Sequence, residues 1–116
     1  GRGLMGVLNT GLLVSAFIRR ASVEGGMAML IKRGDEMAGA LLVVGMEKGV
    51  IAGVYEQIMT SPGGYEWAKV GPQTIENTQE IDDYLARRKD RDPDLWILEL
   101  DIPDPARFIA GTGSTG

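Results

Sequence analysis

Carboxylates and guanidinium groups are the strongly functional side chains that this sequence offers in quantity. It holds 16 Asp and Glu and 12 Lys and Arg, but no histidine and no cysteine. Without an imidazole or a thiol, neither a Ser-His nor a Cys-His nucleophile pair can be drawn. A serine–lysine arrangement would need a serine in a nucleophile turn, and no serine sits in one. Zinc would be held by carboxylates alone, which its structural sites rarely accept. Oxygen ligands suit magnesium or calcium, so no transition metal is expected, and no cofactor. Two stretches gather the chemistry that remains. In Arg33-Gly34-Asp35-Glu36 a cation stands beside two carboxylates, the residue types of acid–base catalysis or of a divalent-cation site. In Asp92-Pro93-Asp94-Leu95-Trp96, Asp94 could hold a cationic group while the Trp96 ring lines a pocket.

Each stretch also has a plainer reading, and it is the favoured one. Asp35 would bond its own turn backbone, as Asp commonly does. Asp92 and Asp94 would do the same while Trp96 anchors the core as a large apolar ring. Nothing else along the chain marks a partner converging on either carboxylate set. The tripeptide Arg33-Gly34-Asp35 also occurs in adhesion motifs, but it is common by chance and carries almost no weight.

Cations cluster at Arg19-Arg20, Lys32-Arg33 and Arg87-Arg88-Lys89 with Arg91. The first two could meet as an anion-binding patch if the helix carrying Arg20 packs near the strand carrying Lys32. Solvated helix faces with pairs such as Asp83 and Arg87 are the favoured alternative. The net charge of -4 argues against nucleic acid as a partner, since that binding rests on neutralising phosphates. The glycines form neither a phosphate loop nor a dinucleotide fingerprint: Gly34, Gly39, Gly45 and Gly49 punctuate strands rather than precede a helix.

The elements that must position these groups follow from periodicity. Thr10 is a plausible N-cap for a helix running from Leu12 to Gly25-Gly26. Its polar stripe is Ser15, Arg19 and Ser22, and apolar residues fill most of the remaining circumference. Strands are expected at Met27 to Arg33, Gly39 to Glu47, Val50 to Met59 and Tyr65 to Val70. Turns at Lys48-Gly49 and Ser61-Pro62-Gly63-Gly64 separate the later three. The unbroken run Leu41-Leu42-Val43-Val44 marks a central strand covered on both faces. A second helix starts near Thr78, with Asn77 and Glu80 in capping-box spacing and Ile81, Tyr84 and Leu85 as its apolar stripe, and Pro93 stops it. Leu95 to Ile102 alternates as a last strand, and Pro103 and Pro105 end regular structure.

Short links between strands favour antiparallel pairing. The fold class expected is therefore α+β: an antiparallel β-meander flanked by two helices, with the final strand returning to the sheet. Residues 12–108 form one domain, between a flexible leader at 1–11 and a flexible tail at 109–116. Met5 stands as a candidate native start. The apolar stretch from Leu4 to Ile18 is shorter than the roughly 20 residues of a membrane span, and its flanks do not suit a signal peptide. With no cysteine, a reducing cytoplasm is the expected location. Tyr65 and Trp67, at i and i+2 on an expected edge strand, are the candidate interface of a homodimer or of an unknown protein partner.

Three stretches taken in order carry a resemblance. Leu13-Val14-Ser15-Ala16-Phe17-Ile18-Arg19-Arg20 comes first. Arg33-Gly34-Asp35 leading to Ala38-Gly39-Ala40 follows, and then Asp92-Pro93-Asp94-Leu95-Trp96 with Glu99. Together they resemble a small bacterial family of uncharacterised proteins, domain-of-unknown-function family 1491, from about Leu12 to Phe108. The resemblance implies a single-domain bacterial protein without an assigned activity, and so no catalytic residue to carry over. The expected function is a non-enzymatic binding or interaction module that self-associates. The alternative is a small hydrolase or anion-binding enzyme using Arg20, Arg33, Asp35 and Glu36, with Asp94 and Trp96 as further candidate ligand contacts.

Overall fold

A computed structural model describes residues 10–37, 39–61, 64–72 and 74–113. The expected leader before Thr10, Ala38 of the second resemblance stretch, and the centre of the Pro62-Gly63 turn lie outside those residues. Among the described residues the chain runs α1 (Thr10–Val23), β1 (Met27–Lys32), β2 (Leu41–Glu47), β3 (Val50–Ser61), β4 (Gly64–Val70), α2 (Thr78–Arg91), β5 (Trp96–Asp101) and α3 (Pro105–Gly113).

The strands form one five-stranded sheet in the order β1-β5-β2-β3-β4. From β2 to β4 it is the expected antiparallel meander. The rest corrects the expectation: β5 enters between β1 and β2, antiparallel to the first and parallel to the second, so the sheet is mixed. The reason is the link from Arg33 to Ala40, too long for a tight hairpin. It folds onto the start of β5 instead, where the Asp35 amide donates to the Asp94 carbonyl (3.0 Å) and the Trp96 amide to the Ala40 carbonyl (2.8 Å). Helix α2 supplies the long crossover that parallel strands require.

Both sheet faces are covered. On one, Val14, Phe17 and Ala21 of α1 and Phe108 and Ile109 of α3 pack on Leu41, Val43, Trp96 and Leu98. On the other, Ile81, Tyr84 and Leu85 of α2 pack on Leu42, Val44, Val54, Leu95 and Ile97. The apolar run of β2 is thus buried on both sides, as its sequence implied. The β2–β3 turn is held from a third strand: the Lys48 and Gly49 amides each donate to the Asp101 carboxylate at 2.8 Å. That grip supports Lys48 in the left-handed region, at φ 53°.

Helix α3 is a second correction, because regular structure does not end at Pro103 and Pro105. Proline at a first helical position sacrifices only an amide that has no intrahelical acceptor, and its φ is already helical. Asp104 caps this start, its carbonyl accepting from the Arg107 and Phe108 amides. At α2 the Asn77 side chain accepts from the Glu80 amide (3.2 Å), as its spacing foretold.

Candidate functional site

Most of the chemistry-bearing residues come together at one corner, where the Arg33–Ala40 link crosses the start of β5. Trp96 is 1% exposed, and its indole N–H donates to the Asp35 carbonyl at 2.6 Å. The Arg33 guanidinium lies over the same ring, 5.3 Å from its centroid, and is ion-paired with Glu36. Asp35 accepts from the Met37 amide (3.2 Å), and Asp92 accepts from the Asp94 amide (3.2 Å). Both are Asp turns of the kind the sequence suggested. The start of α1 closes the corner through Thr10, whose hydroxyl donates to the Gly39 carbonyl (2.7 Å). Methyl groups at Gly34 and Gly39 would collide with the Asp94 carbonyl and lie 2.7 and 2.8 Å from Trp96 Cδ1. Glycine is needed there for close approach.

This corner also gives Lys32, read in the sequence as part of a cation cluster, a different role. The Lys32 ammonium donates to the Pro93 (2.8 Å) and Leu95 (2.9 Å) carbonyls, pinning the end of β1 to the entry of β5. Arg33, Asp35, Glu36, Asp94 and Trp96 are therefore neighbours: Arg33 pairs with Glu36 and lies over the Trp96 ring, while Asp35 and Trp96 bond backbone. Arg20 is not among them. It pairs with Glu24 (2.9 Å) and lies over the Phe108 ring of α3. Nine residues of helix separate it from Gly11 at the corner, a rise of about 13 Å. The Arg/Asp/Glu cluster that a hydrolase would use is thus not assembled. Among the described residues, no three Asp or Glu groups gather as a cation site either.

The strongest ion pair is one that sequence reasoning missed. Arg88 makes a two-pronged contact with Glu56 of β3, both bonds at 3.0 Å, and a third bond to the Tyr84 hydroxyl at 2.8 Å. The two side chains are only 18% and 20% exposed. The Glu56 hydrogen bond raises the Arg88 pKa further above its ordinary value, outweighing the opposing effect of burial. Position was the available signal: Arg88 continues the Ile81, Tyr84, Leu85 stripe, and Glu56 lies two residues from Val54 on the same sheet face. Beside the pair opens a hollow of about 460 Å³ lined by Tyr84, Arg87, Arg88, Arg91 and Asp92. The expected Asp83–Arg87 pair is not made; Asp83 accepts from Gln79 (2.9 Å).

Trp67 is half-buried: its ring packs on Phe17, with centroids 5.9 Å apart, against the core under α1. The side chain of Tyr65 lies outside those described. At the other sheet edge, β1 exposes Met27 (70%), Met29 (56%), Ile31 (46%) and Leu30 (36%).

The same architecture recurs in solved structures. The crystal structure of a DUF1491 family protein from Caulobacter crescentus CB15 is 30% identical, with a TM-score of 0.72. The match covers 87% of this chain and 94% of that one. The DUF1491 family model, described as a protein of unknown function, matches residues 8–110. The chain belongs to the DUF1491 family. An NMR structure of a DUF1491 protein from the same organism is 31% identical, with a TM-score of 0.73 over 88% of this chain and 92% of that one. The solution structure of protein Atu0922 from A. tumefaciens gives 26% and 0.74 with the same coverages. No curated protein matches the sequence. In this DUF1491 chain, the three stretches behind the resemblance are neighbours: the Arg33–Ala40 link and the Asp92–Trp96 turn meet at the Trp96 corner, and Val14 and Phe17 of α1 share a core cluster with Trp96.

Proposed function

We propose that this chain is a non-enzymatic bacterial interaction module that self-associates in the cytoplasm through the outer edge of β1. The observation that carries the reading is the exposure of Met27, Met29, Leu30 and Ile31 on a strand hydrogen-bonded on one side only. Natural edge strands are usually blunted by charge, proline or a covering element. The stretch from Met27 to Ile31 carries no charge and no proline. Its one ladder irregularity, between Leu30 and Lys32, leaves Met27 to Leu30 in regular register.

Charge favours a second, antiparallel copy as the occupant. Glu24 before β1 is paired with Arg20 and Arg33 after it with Glu36, which leaves Lys32 as the cation at the strand's end. Antiparallel pairing of two β1 strands sets the Lys32 of one copy at the far end from the Lys32 of the other, whereas parallel pairing places the two cations side by side. Bacterial relatives and a cysteine-free composition support the cytoplasmic setting. Sedimentation equilibrium of the full chain across the micromolar range tests the reading. A monomer–dimer equilibrium is expected, and a monomer at every concentration overturns it.

A further inference from the structure

The hollow at the C-terminal end of α2 has a composition that the Trp96 corner and the β1 edge do not explain. Arg87 and Arg91 lie one helical turn apart, both exposed, both lining the hollow, and neither with an ion-pair or hydrogen-bond partner among the described residues. Like charges at this spacing disfavour the helix. The helix dipole rewards cations in the last turn, but Lys89 would serve it equally and does not line the hollow.

The other lining groups leave one net positive charge in place. Both Glu56 oxygens are occupied by the Arg88 fork, so that pair forms a neutral, fixed floor. The Tyr84 hydroxyl accepts from Arg88, which leaves its own hydrogen to donate. Asp92 is the one acidic lining residue; its carboxylate accepts from the Asp94 amide, keeps its charge and offsets one of the two unpaired guanidinium groups. Two unpaired guanidinium forks and one phenolic donor thus surround a volume of about 460 Å³.

We propose that this hollow binds the phosphate group of a small phosphorylated molecule. Guanidinium forks match the paired oxygens of a tetrahedral oxyanion better than a point cation does. A dianion between Arg87 and Arg91 converts their repulsion into two charge-assisted contacts. The volume exceeds that of a bare phosphate and falls in the range of small-molecule sites. Free inorganic phosphate offers the same chemistry, so the test must separate the two sources.

Amide chemical shifts of the 15N-labelled full chain should be followed during titration with inorganic phosphate and, separately, with glycerol 3-phosphate, at constant ionic strength. Saturable shifts centred on Tyr84, Arg87, Arg88 and Arg91 are expected, with glycerol 3-phosphate binding the more tightly and with a Kd of about 1 mM or below. An Arg87→Gln/Arg91→Gln variant should weaken binding about tenfold or more while its melting temperature holds, because both residues are exposed and each removed charge takes a charge-assisted bond with it. Tyr84→Phe keeps the ring and should weaken binding by a smaller factor. Lys89→Gln removes a neighbouring charge and should leave the Kd within about twofold. Binding of inorganic phosphate alone would reassign the ligand and overturn the phosphorylated-molecule proposal. Absence of saturable shifts, or an equal loss in Lys89→Gln and the double variant, would overturn the site itself.

Discussion

The indole N–H of Trp96 donates to the backbone carbonyl of Asp35, at 2.6 Å, across 61 residues of chain. The bond fixes the β1–β2 link over the first residue of β5 and so helps define the slot into which that strand fits. With the Asp35–Asp94 backbone bond and the Lys32 bonds to Pro93 and Leu95, the link and the β5 entry form one clamp.

Trp96→Phe keeps most of the ring and removes the donor, leaving the Asp35 carbonyl one partner short. Chemical denaturation should show a loss of about 1–3 kcal/mol. Gly34→Ala and Gly39→Ala force a methyl group against the Asp94 carbonyl. Each should cost about 1–3 kcal/mol or more, since backbone cannot yield as a flexible side chain does. Wild-type stability in either glycine variant would show that the link can lift off β5.

The Arg88–Glu56 pair lies between the surface and buried limits. An exposed pair contributes about 0–1 kcal/mol, and breaking a fully buried one costs about 3–5 kcal/mol. At about one-fifth exposure with two parallel bonds, Glu56→Gln should cost about 1–2 kcal/mol. A double-mutant cycle with Arg88→Met should return a coupling of about 1 kcal/mol. A coupling near zero would mean that solvent already screens the pair.

Tyr55 makes stability fall at high pH. Burial raises its pKa above 10.0, and the charge of Asp104 adds to the rise. The fold therefore holds the phenolic proton more tightly than the unfolded chain does. This contribution is complete below the unfolded value of about 10 and is lost as pH rises through the folded value. Tyr55→Phe should flatten the decline above pH 10 in pH-dependent melting. An unchanged slope there would assign the loss to other groups.

How legible this fold is depends on the range over which each feature is decided. Strand positions followed from alternation, and the burial of β2 from its run of four apolar residues, because neighbours within a few residues decide both. Asn77 was readable as a cap for the same reason. The place of β5 was not readable, because strand order depends on which edges find partners after the chain has folded back. Pro105 misled because proline both ends and begins helices, and only the Asp104 cap distinguishes the two. At the candidate sites, the Arg33–Glu36 stretch and the Asp92–Trp96 turn stood out by composition, and their meeting did not. Glu56 and Arg88, 32 residues apart, each stood on a core-facing position, but nothing local showed that those positions meet.

The two sheet edges give opposite expectations for association. On β4, half-buried Trp67 packs against the core beside Phe17, and its indole N–H is buried without a partner among the described residues. Trp67→Ala should therefore remove packing and cost about 2–4 kcal/mol in denaturation, while the folded fraction still dimerises. On β1, Met29 is 56% exposed and stands opposite Glu99 in the β5 ladder. Met29→Lys should leave the monomer within about 0.5 kcal/mol of wild type, since it replaces an exposed side chain away from any tight contact. It should nonetheless abolish the dimer, because lysine on an edge strand opposes the same lysine or the apolar row of an incoming copy. Analytical ultracentrifugation of both variants below their melting temperatures reads the difference directly. A dimer that survives Met29→Lys and is lost in folded Trp67→Ala would place the contact on β4.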